Sequence, residues 1–229
     1  MSNPCLLSSS IGKKFLMSIT GLFFVLFVAF HATMNAVHIF SSEGYNAICE
    51  FLGAHWYALV GTGIIALGFI IHIVYATILT IQNRKARGAD RYDSEVRPAS
   101  VEWASKNMFV LGIIIVLGLG LHLYMFWAKM QFAEIVSCPL DATIGAESYA
   151  DGSAFIKYWF AKPWVVVAYM VWLVALWFHL THGFWSAFQT LGWNNKTWMS
   201  RLKCLSDILA TIICVAFAAV VIAAFCMSL

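Results

Sequence analysis

The sequence predicts an all-α membrane protein, a bundle of five transmembrane helices forming one integral membrane domain over residues 1–229. Of its 229 residues, 62% are hydrophobic and only 11% are charged. A soluble domain carries about 25% charged residues to face water. The mean hydropathy is +0.81. Five apolar runs reach the roughly 20 residues that a helix rising about 1.5 Å per residue needs to cross a bilayer. A net charge of +3 is too small to point to nucleic acid, and no long polar segment could form a separate soluble domain.

The five runs cover residues 15–40, 56–81, 107–128, 164–191 and 205–229. The first follows Lys13 and Lys14, as a signal peptide would. Its apolar stretch exceeds the roughly 7–15 residues of such a peptide, and no clear small-residue cleavage site follows, so a retained span is expected. Lys13, Lys14, Arg84, Lys85, Arg87, Arg91, Arg97, Lys106, Lys196, Arg201 and Lys203 all fall on one face of this topology. The opposite face has Lys129, Lys157 and Lys162 beside Glu43, Glu50, Glu134, Asp141, Glu147 and Asp151. Lys and Arg concentrate in cytoplasmic connections, so the N-terminus is expected in the cytoplasm and the C-terminus outside. Trp56, Trp127, Trp159, Trp164, Trp193 and Trp198 fall near span ends, where interfacial aromatics belong.

The long outer connection, 129–162, is expected to carry a short amphipathic helix on the membrane surface. The cytoplasmic stretch 82–106 reads equally as a docking surface or a solvated loop, with Pro98 before a helix start. Cys5, Cys49, Cys138, Cys204, Cys214 and Cys226 contain no C-x-x-C and no C-x-x-C-H. That argues against thiolate iron–sulfur ligation, a zinc ribbon and covalent c-type haem. Cys49 and Cys138 share the outer side, where a disulfide is permitted; two unpaired thiols are the expected state.

Histidines within spans carry the functional argument, because an ionisable group in an apolar layer is costly and marks a functional site by default. His31 lies 17 residues after Lys14, His72 16 after Trp56, His122 16 after Lys106 and His179 16 after Pro163. Each is therefore about 24–26 Å along its helix. Successive spans run in opposite directions, so His31 and His122 end nearer the outside, and His72 and His179 nearer the cytoplasm. Two histidines at each of two depths, on different helices, match the axial ligands of two stacked b-type haems. For each histidine alone, a packing or proton-path role is the competing account; the shared offset favours pairs. Gly61, Gly63, Gly68, Gly112, Gly118 and Gly120 fit either close approach of a macrocycle or ordinary helix packing. His182 follows His179 by three residues and shares its broad face. It could hydrogen-bond a propionate, line a quinone pocket or sit at the interface. His38 and His55 are expected to be interfacial polar residues.

The segments F-H-A-T-M-N at 30–35, I-I-H-I-V-Y at 70–75, L-H-L-Y at 121–124 and F-H-L-T-H-G-F-W-S-A-F-Q-T-L-G-W at 178–193 carry a family resemblance. Together they resemble the cytochrome b membrane subunit of succinate dehydrogenase/fumarate reductase, in its single-chain, five-helix, diheme variety. The likeness covers nearly the whole chain from about residue 11, and the fourth-span motif is its most specific piece.

The resemblance implies that His72 and His179 ligate a haem proximal to cytoplasmic subunits, and His31 and His122 a distal one. It implies a bacterial cytoplasmic (inner) membrane location. Its implied partners are a flavoprotein subunit holding FAD, where succinate and fumarate interconvert, and an iron–sulfur subunit. Electrons would pass between these and a membrane quinone, often menaquinone, in the tricarboxylic acid cycle or anaerobic respiration; a dimer of such heterotrimers is compatible. Some fumarate reductases of this type use a carboxylate near the outer end of the second span in quinol oxidation; Glu50 lies in a comparable stretch, with Glu43 as competitor.

Nothing in the chain itself resembles a flavin or nicotinamide site. Its G-T-G at 61–63 lies inside a span, not between a strand and a helix as a dinucleotide fingerprint requires. The dicarboxylate chemistry is thus expected on a partner. Three competing classes remain. A diheme cytochrome b of the formate dehydrogenase, hydrogenase or nitrate reductase type would serve other partners. A haem-free proton-coupled transporter would call for paired midplane carboxylates and broken helices, and the one candidate, Asp207, lies near the cytoplasmic end beside Lys203. A structural assembly factor gives no reason to bury four histidines at paired depths.

Overall fold

The computed structural model describes residues 9–87, 103–193 and 195–229. Cys5, Arg91, Arg97 and Pro98, with most of the expected docking stretch, lie outside the described residues. The described chain is all-helical, and five helices are long and apolar enough to cross a bilayer.

The first of these, α1 (Ser10–Phe40), starts where the Ser9 hydroxyl accepts from Gly12 N at 3.0 Å. Ser41 ends it and at once caps the next helix, α2 (Ser42–Phe51), by accepting from Gly44 N. Then follow α3 (Trp56–Arg87) and α4 (Trp103–His122), the latter continuing into a π-helical turn at Leu123–Trp127. Short α5 (Gln131–Ile135) and α6 (Gly152–Phe160) precede α7 (Pro163–Thr190) and α8 (Lys196–Cys226). Pro163 stands in the first turn of α7, where its missing N–H costs nothing. Gly192, at φ +97, closes that helix with Trp193 N bonded to Phe188 O, a left-handed cap that a side chain would strain.

The expected spans are all present, but their ends differ. The last helix begins at Lys196, nine residues before the apolar run, because Asn195 caps it by accepting from Trp198 N at 2.9 Å. Hydropathy marks where apolar residues begin, whereas caps decide where helices do. Helix α2 was not anticipated. The 129–162 connection holds two short helices, α5 and α6, where one was expected on the membrane surface, and Phe155, Ile156 and Phe160 of α6 pack into the bundle end.

Helices α1 and α7 touch at the centre, α3 lies on α1, α4 lies on α7, and α8 packs against both central helices. Helices α3 and α4 scarcely meet. The four helices α1, α3, α4 and α7 thus surround a common axis, with α8 outside. Neighbours run antiparallel: Gly21 meets His72 while Phe24 stacks on Phe69 at 4.1 Å. Outward positions carry exposed aliphatic groups such as Leu26, Leu67, Leu117, Val167 and Ile212, a surface suited to lipid. For orientation, the end with Lys14, Arg84, Lys106 and Arg201 is called the basic end, and the end with α2, α5 and α6 the far end.

Two contacts lock the bundle. Trp172 of α7 lies flat against Gly118 of α4, and its indole N–H donates to Ile115 O at 3.1 Å. Ser206 of α8, 1% exposed, donates to Thr181 O at 2.6 Å, so α8 is bonded to the α7 backbone beside His179 and His182.

A Cβ on Gly118 would meet the Trp172 ring, whereas one on Gly63 meets nothing within 4 Å. Gly118→Ala should therefore destabilise the bundle by about 1–3 kcal/mol through overpacking. Gly63→Ala should be neutral or slightly stabilising. Thermal denaturation in detergent reads both: the midpoint falls only for Gly118→Ala.

Candidate functional site: two facing histidine pairs

The four span histidines meet across the diagonals of the helix square. His31 of α1 faces His122 of α4 with ring centroids 5.8 Å apart and planes crossed at 87°. His72 of α3 faces His179 of α7 at 6.5 Å and 62°. These are the pairs that the common offset predicts. Their separation in depth can be read on two helices independently. The His72 ring lies against Gly21, ten residues before His31 on α1. His122 bonds Tyr169, ten residues before His179 on α7. Both intervals correspond to about 15 Å of helix rise.

Neighbouring hydroxyls fix two of the rings. Thr20 Oγ1 lies 3.0 Å from His72 Nδ1 and 2.8 Å from Leu16 O. Its one hydrogen goes to the carbonyl, so it accepts from Nδ1–H, and Nε2 of His72 remains for a ligand. Tyr169 OH holds His122 Nδ1 at 3.2 Å. Such bonds to the other ring nitrogen orient metal-ligating histidines. His179 Nδ1 is buried without a hydrogen-bond partner among the described residues, a costly state that invites one. Aromatic rings pack the sides: Phe27 stacks on His31 at 5.5 Å, Trp172 lies 5.8 Å from His122, and Phe24 meets His72 edge-on. Thr20, Tyr169 and Trp172 have no distinguishing local sequence pattern and were not anticipated.

The donor set limits what these pairs can hold. Two imidazoles on opposite sides of one metal place their centroids about 6 Å apart, given bonds of about 2 Å and about 1 Å from nitrogen to ring centre. The observed 5.8 and 6.5 Å bracket that value. No group of three or more His, Cys, Asp or Glu able to hold a metal ion occurs among the described residues. Two neutral nitrogens are too few for a bare ion but complete an iron whose equatorial positions a macrocycle fills. In number, type and spacing the paired imidazoles are the donors such a group would need. Gly61, Gly63, Gly112 and Gly120 have open space beside them, while Gly68 and Gly118 pack against Phe24 and Trp172, so the glycines divide between the two accounts.

The other candidates lie elsewhere. His182 meets Trp185 edge-on at 4.8 Å, with Lys203 over the same indole. His55 is exposed and stacks on Tyr57. His38, expected at the interface as a polar residue, is buried: it is 3% exposed, covered by Tyr45 of α2 and Ser153 of α6. Glu50 is exposed on α2, and Glu43 is exposed in its first turn. Glu134 is a carboxylate built into the far end, accepting from Ala54 N at 3.1 Å. Beside it Gln131 accepts from Thr62 and Trp127 and donates to Gly53 O. These contacts join residues up to 80 positions apart, which no local pattern announces. Asp207 is exposed, apart from both pairs.

Two cavities lie away from the pairs. One of about 620 Å³ opens at the far end among Asn46, Glu147, Asp151, Lys157 and Tyr158. The other, about 370 Å³, is an apolar groove between α1 and α3 lined by Phe23, Leu26, Phe27, Phe30, Gly61 and Ile64. On the far-end surface Lys129 pairs with Asp141 at 3.4 Å. The Thr143 hydroxyl and amide, with that lysine, hold the Asp141 carboxyl below its usual range.

Comparison with protein-family models, with curated proteins and with solved structures finds no match to this chain.

Cys49 and Cys138 are both free thiols, as expected. Burial pushes the Cys49 thiol up to about 11, against the opposing pull of its Tyr45 hydrogen bond; Cys138 is exposed. Alkylation requires the thiolate, and a raised value keeps Cys49 protonated until the pH nears that value. At pH 8 iodoacetamide should modify Cys138 and spare Cys49, and Cys49 labelling should climb with pH towards about 11. Peptide mass spectrometry measures both.

Proposed function

We propose that the chain is the diheme cytochrome b membrane anchor of a succinate:quinone oxidoreductase, a succinate dehydrogenase or fumarate reductase. The observation that carries the reading is the pair of crossed histidine contacts, His31 with His122 and His72 with His179, about 15 Å apart along the bundle. The four-segment resemblance, above all residues 178–193, supports the choice of enzyme.

In this reading His31 and His122 hold the distal haem b, and His72 and His179 the proximal one. The haems supply one-electron transfer at potentials set by axial ligands, burial and nearby hydrogen bonds. The chain's own groups orient and insulate. Thr20 and Tyr169 keep Nε2 of His72 and His122 turned to ligation, and Phe24, Phe27 and Trp172 keep water from the rings. The basic end faces the cytoplasm, where the iron–sulfur and flavoprotein subunits dock and the dicarboxylate reaction takes place. His182, one turn nearer that end, would serve a propionate of the proximal haem.

A membrane quinone, often menaquinone in the diheme forms of the resembled family, would bind at the far end on the side of the distal pair. Glu50 is the proposed proton-exchanging carboxylate. Gly53 lies against both the Glu50 carbonyl and Glu134 Oε2, so Glu134 is the natural alternative should Glu50→Gln leave quinone turnover intact.

Reduced-minus-oxidised spectra of the purified chain and its variants test the reading. The wild type should show low-spin b-type signals from two haems. His31→Ala and His122→Ala should each lose the same haem, and His72→Ala and His179→Ala the other, lowering haem content from two per chain to about one. No b-type signal in the wild type would contradict the reading; loss of different haems within a pair would contradict the pairing. Co-purification with a flavoprotein and an iron–sulfur protein active on succinate or fumarate supports the enzyme assignment. Recovery with a formate, hydrogen or nitrate enzyme instead would replace it.

A further inference from the structure

His38 is the buried imidazole that the proposed electron path leaves unexplained. It lies seven residues beyond His31 on α1, so the two share a face and stand about 10 Å apart along the axis. Asn35, four residues from His31, completes the stripe; its amide donates to His31 O and accepts from Tyr45 OH. Ser153 Oγ lies 3.2 Å from His38 Nδ1, while Nε2 is buried and without a partner among the described residues. The tautomer in which the serine hydroxyl donates to Nδ1 carries the ring proton on Nε2, a buried donor without a partner among the described residues. Leaving such a donor unanswered costs about 1–3 kcal/mol, yet α2 and α6 hold it in place. Asn46 does so by donating to Asp151 Oδ1 at 2.8 Å and accepting from Ser153 N at 2.9 Å.

An answering acceptor is available if the haem reading holds, and the inference rests on that reading. The propionates are the charged groups on the periphery of a haem, and inside an apolar span they turn towards the nearest polar end. For a haem on His31 that end is the far one: His31 is nine residues from the end of α1 at Phe40 and 21 from its start at Ser10. A propionate carboxylate reaches about 9 Å from the iron, close to the rise that separates His31 from His38. We propose that His38 Nε2 donates a hydrogen bond to a propionate of the distal haem, with Ser153 and the α2–α6 cap aligning the ring. A charge-assisted bond of this kind favours the carboxylate and makes His38 a tuning residue for one haem.

Equilibrium redox titration of the full chain, with infrared difference spectra of haem carrying ¹³C-labelled propionates, tests it. His38→Leu should retain both haems and shift the reduction equilibrium of the distal haem about ten-fold towards the oxidised form, about 59 mV for one electron. A labelled carboxylate band should move with it. His38→Gln, which keeps an N–H donor, should behave like the wild type. The distal haem is identified as the one lost in His122→Ala. Should His38→Leu fail to accumulate, His38→Asn, too short to reach, should give the same shift. Both haems present with an unmoved band and titration in the donor-free variant would overturn the inference and leave the haem reading standing. So would a shift confined to the haem lost in His179→Ala. A wild type without haem would instead remove the reading beneath it.

Discussion

The constraint on which the structure turns is the burial of four imidazoles in a helix bundle otherwise built from aliphatic and aromatic side chains. Each imidazole carries two nitrogens that an apolar interior cannot answer, and burying a polar group without a partner is costly. The bundle responds by crossing them over its axis, α1 to α4 and α3 to α7. The rings occupy diagonals that helix–helix contact does not fill, and α3 and α4 are left scarcely touching. Rigidity comes from the outer edges of the square, through Gly118 under Trp172, Phe24 on Phe69, and Ser206 on the α7 carbonyls. Packing holds the helices where the histidines need them.

The two ends of the molecule are built differently. At the basic end, charged side chains and extended helix ends project beyond the apolar layer, as in α8, which begins at Lys196. At the far end the chain folds back as α2, α5 and α6, and a polar lattice closes over the bundle. Asp151 caps α6 while accepting from Asn46, and Gln131 links α3, the π-helical turn and the α2–α3 connection. A π-helical turn adds a residue to a helical turn and often marks a working site; here it begins directly after His122. The far end therefore has fixed polar groups on the side of the His31–His122 pair.

Much of this was legible in the sequence, for reasons that differ by feature. The spans could be read because an apolar layer of fixed thickness imposes a minimum run of apolar residues. The histidine pairs could be read because a constant rise converts equal sequence offsets into equal depths, and alternating direction sorts them into two levels. Depth is one coordinate, however, and rotation about the helix is another. Thr20, Tyr169 and Ser153 matter because of the direction their side chains take towards a neighbouring helix, and hydropathy is silent on that. The depth of His38 along α1 suits an interfacial residue but does not reveal that α2, whose mixed composition carries no clear helix signal, buries it. Helix ends slipped for a similar reason, since Ser9, Ser41 and Asn195 set them through single capping bonds.

The central claim, that the crossed pairs are axial ligands to two irons, is tested most directly by electron paramagnetic resonance of the oxidised chain, alongside its haem stoichiometry. Two neutral imidazoles per iron would give low-spin ferric centres, and ring planes kept crossed at 87° and 62° would bring the iron orbitals facing them close to degeneracy. The account predicts two haems per chain and two low-spin signals of large anisotropy, the larger from the His31–His122 pair. A high-spin signal, which reports a missing axial histidine, or the narrower rhombic pattern of parallel imidazoles at both centres, would contradict it.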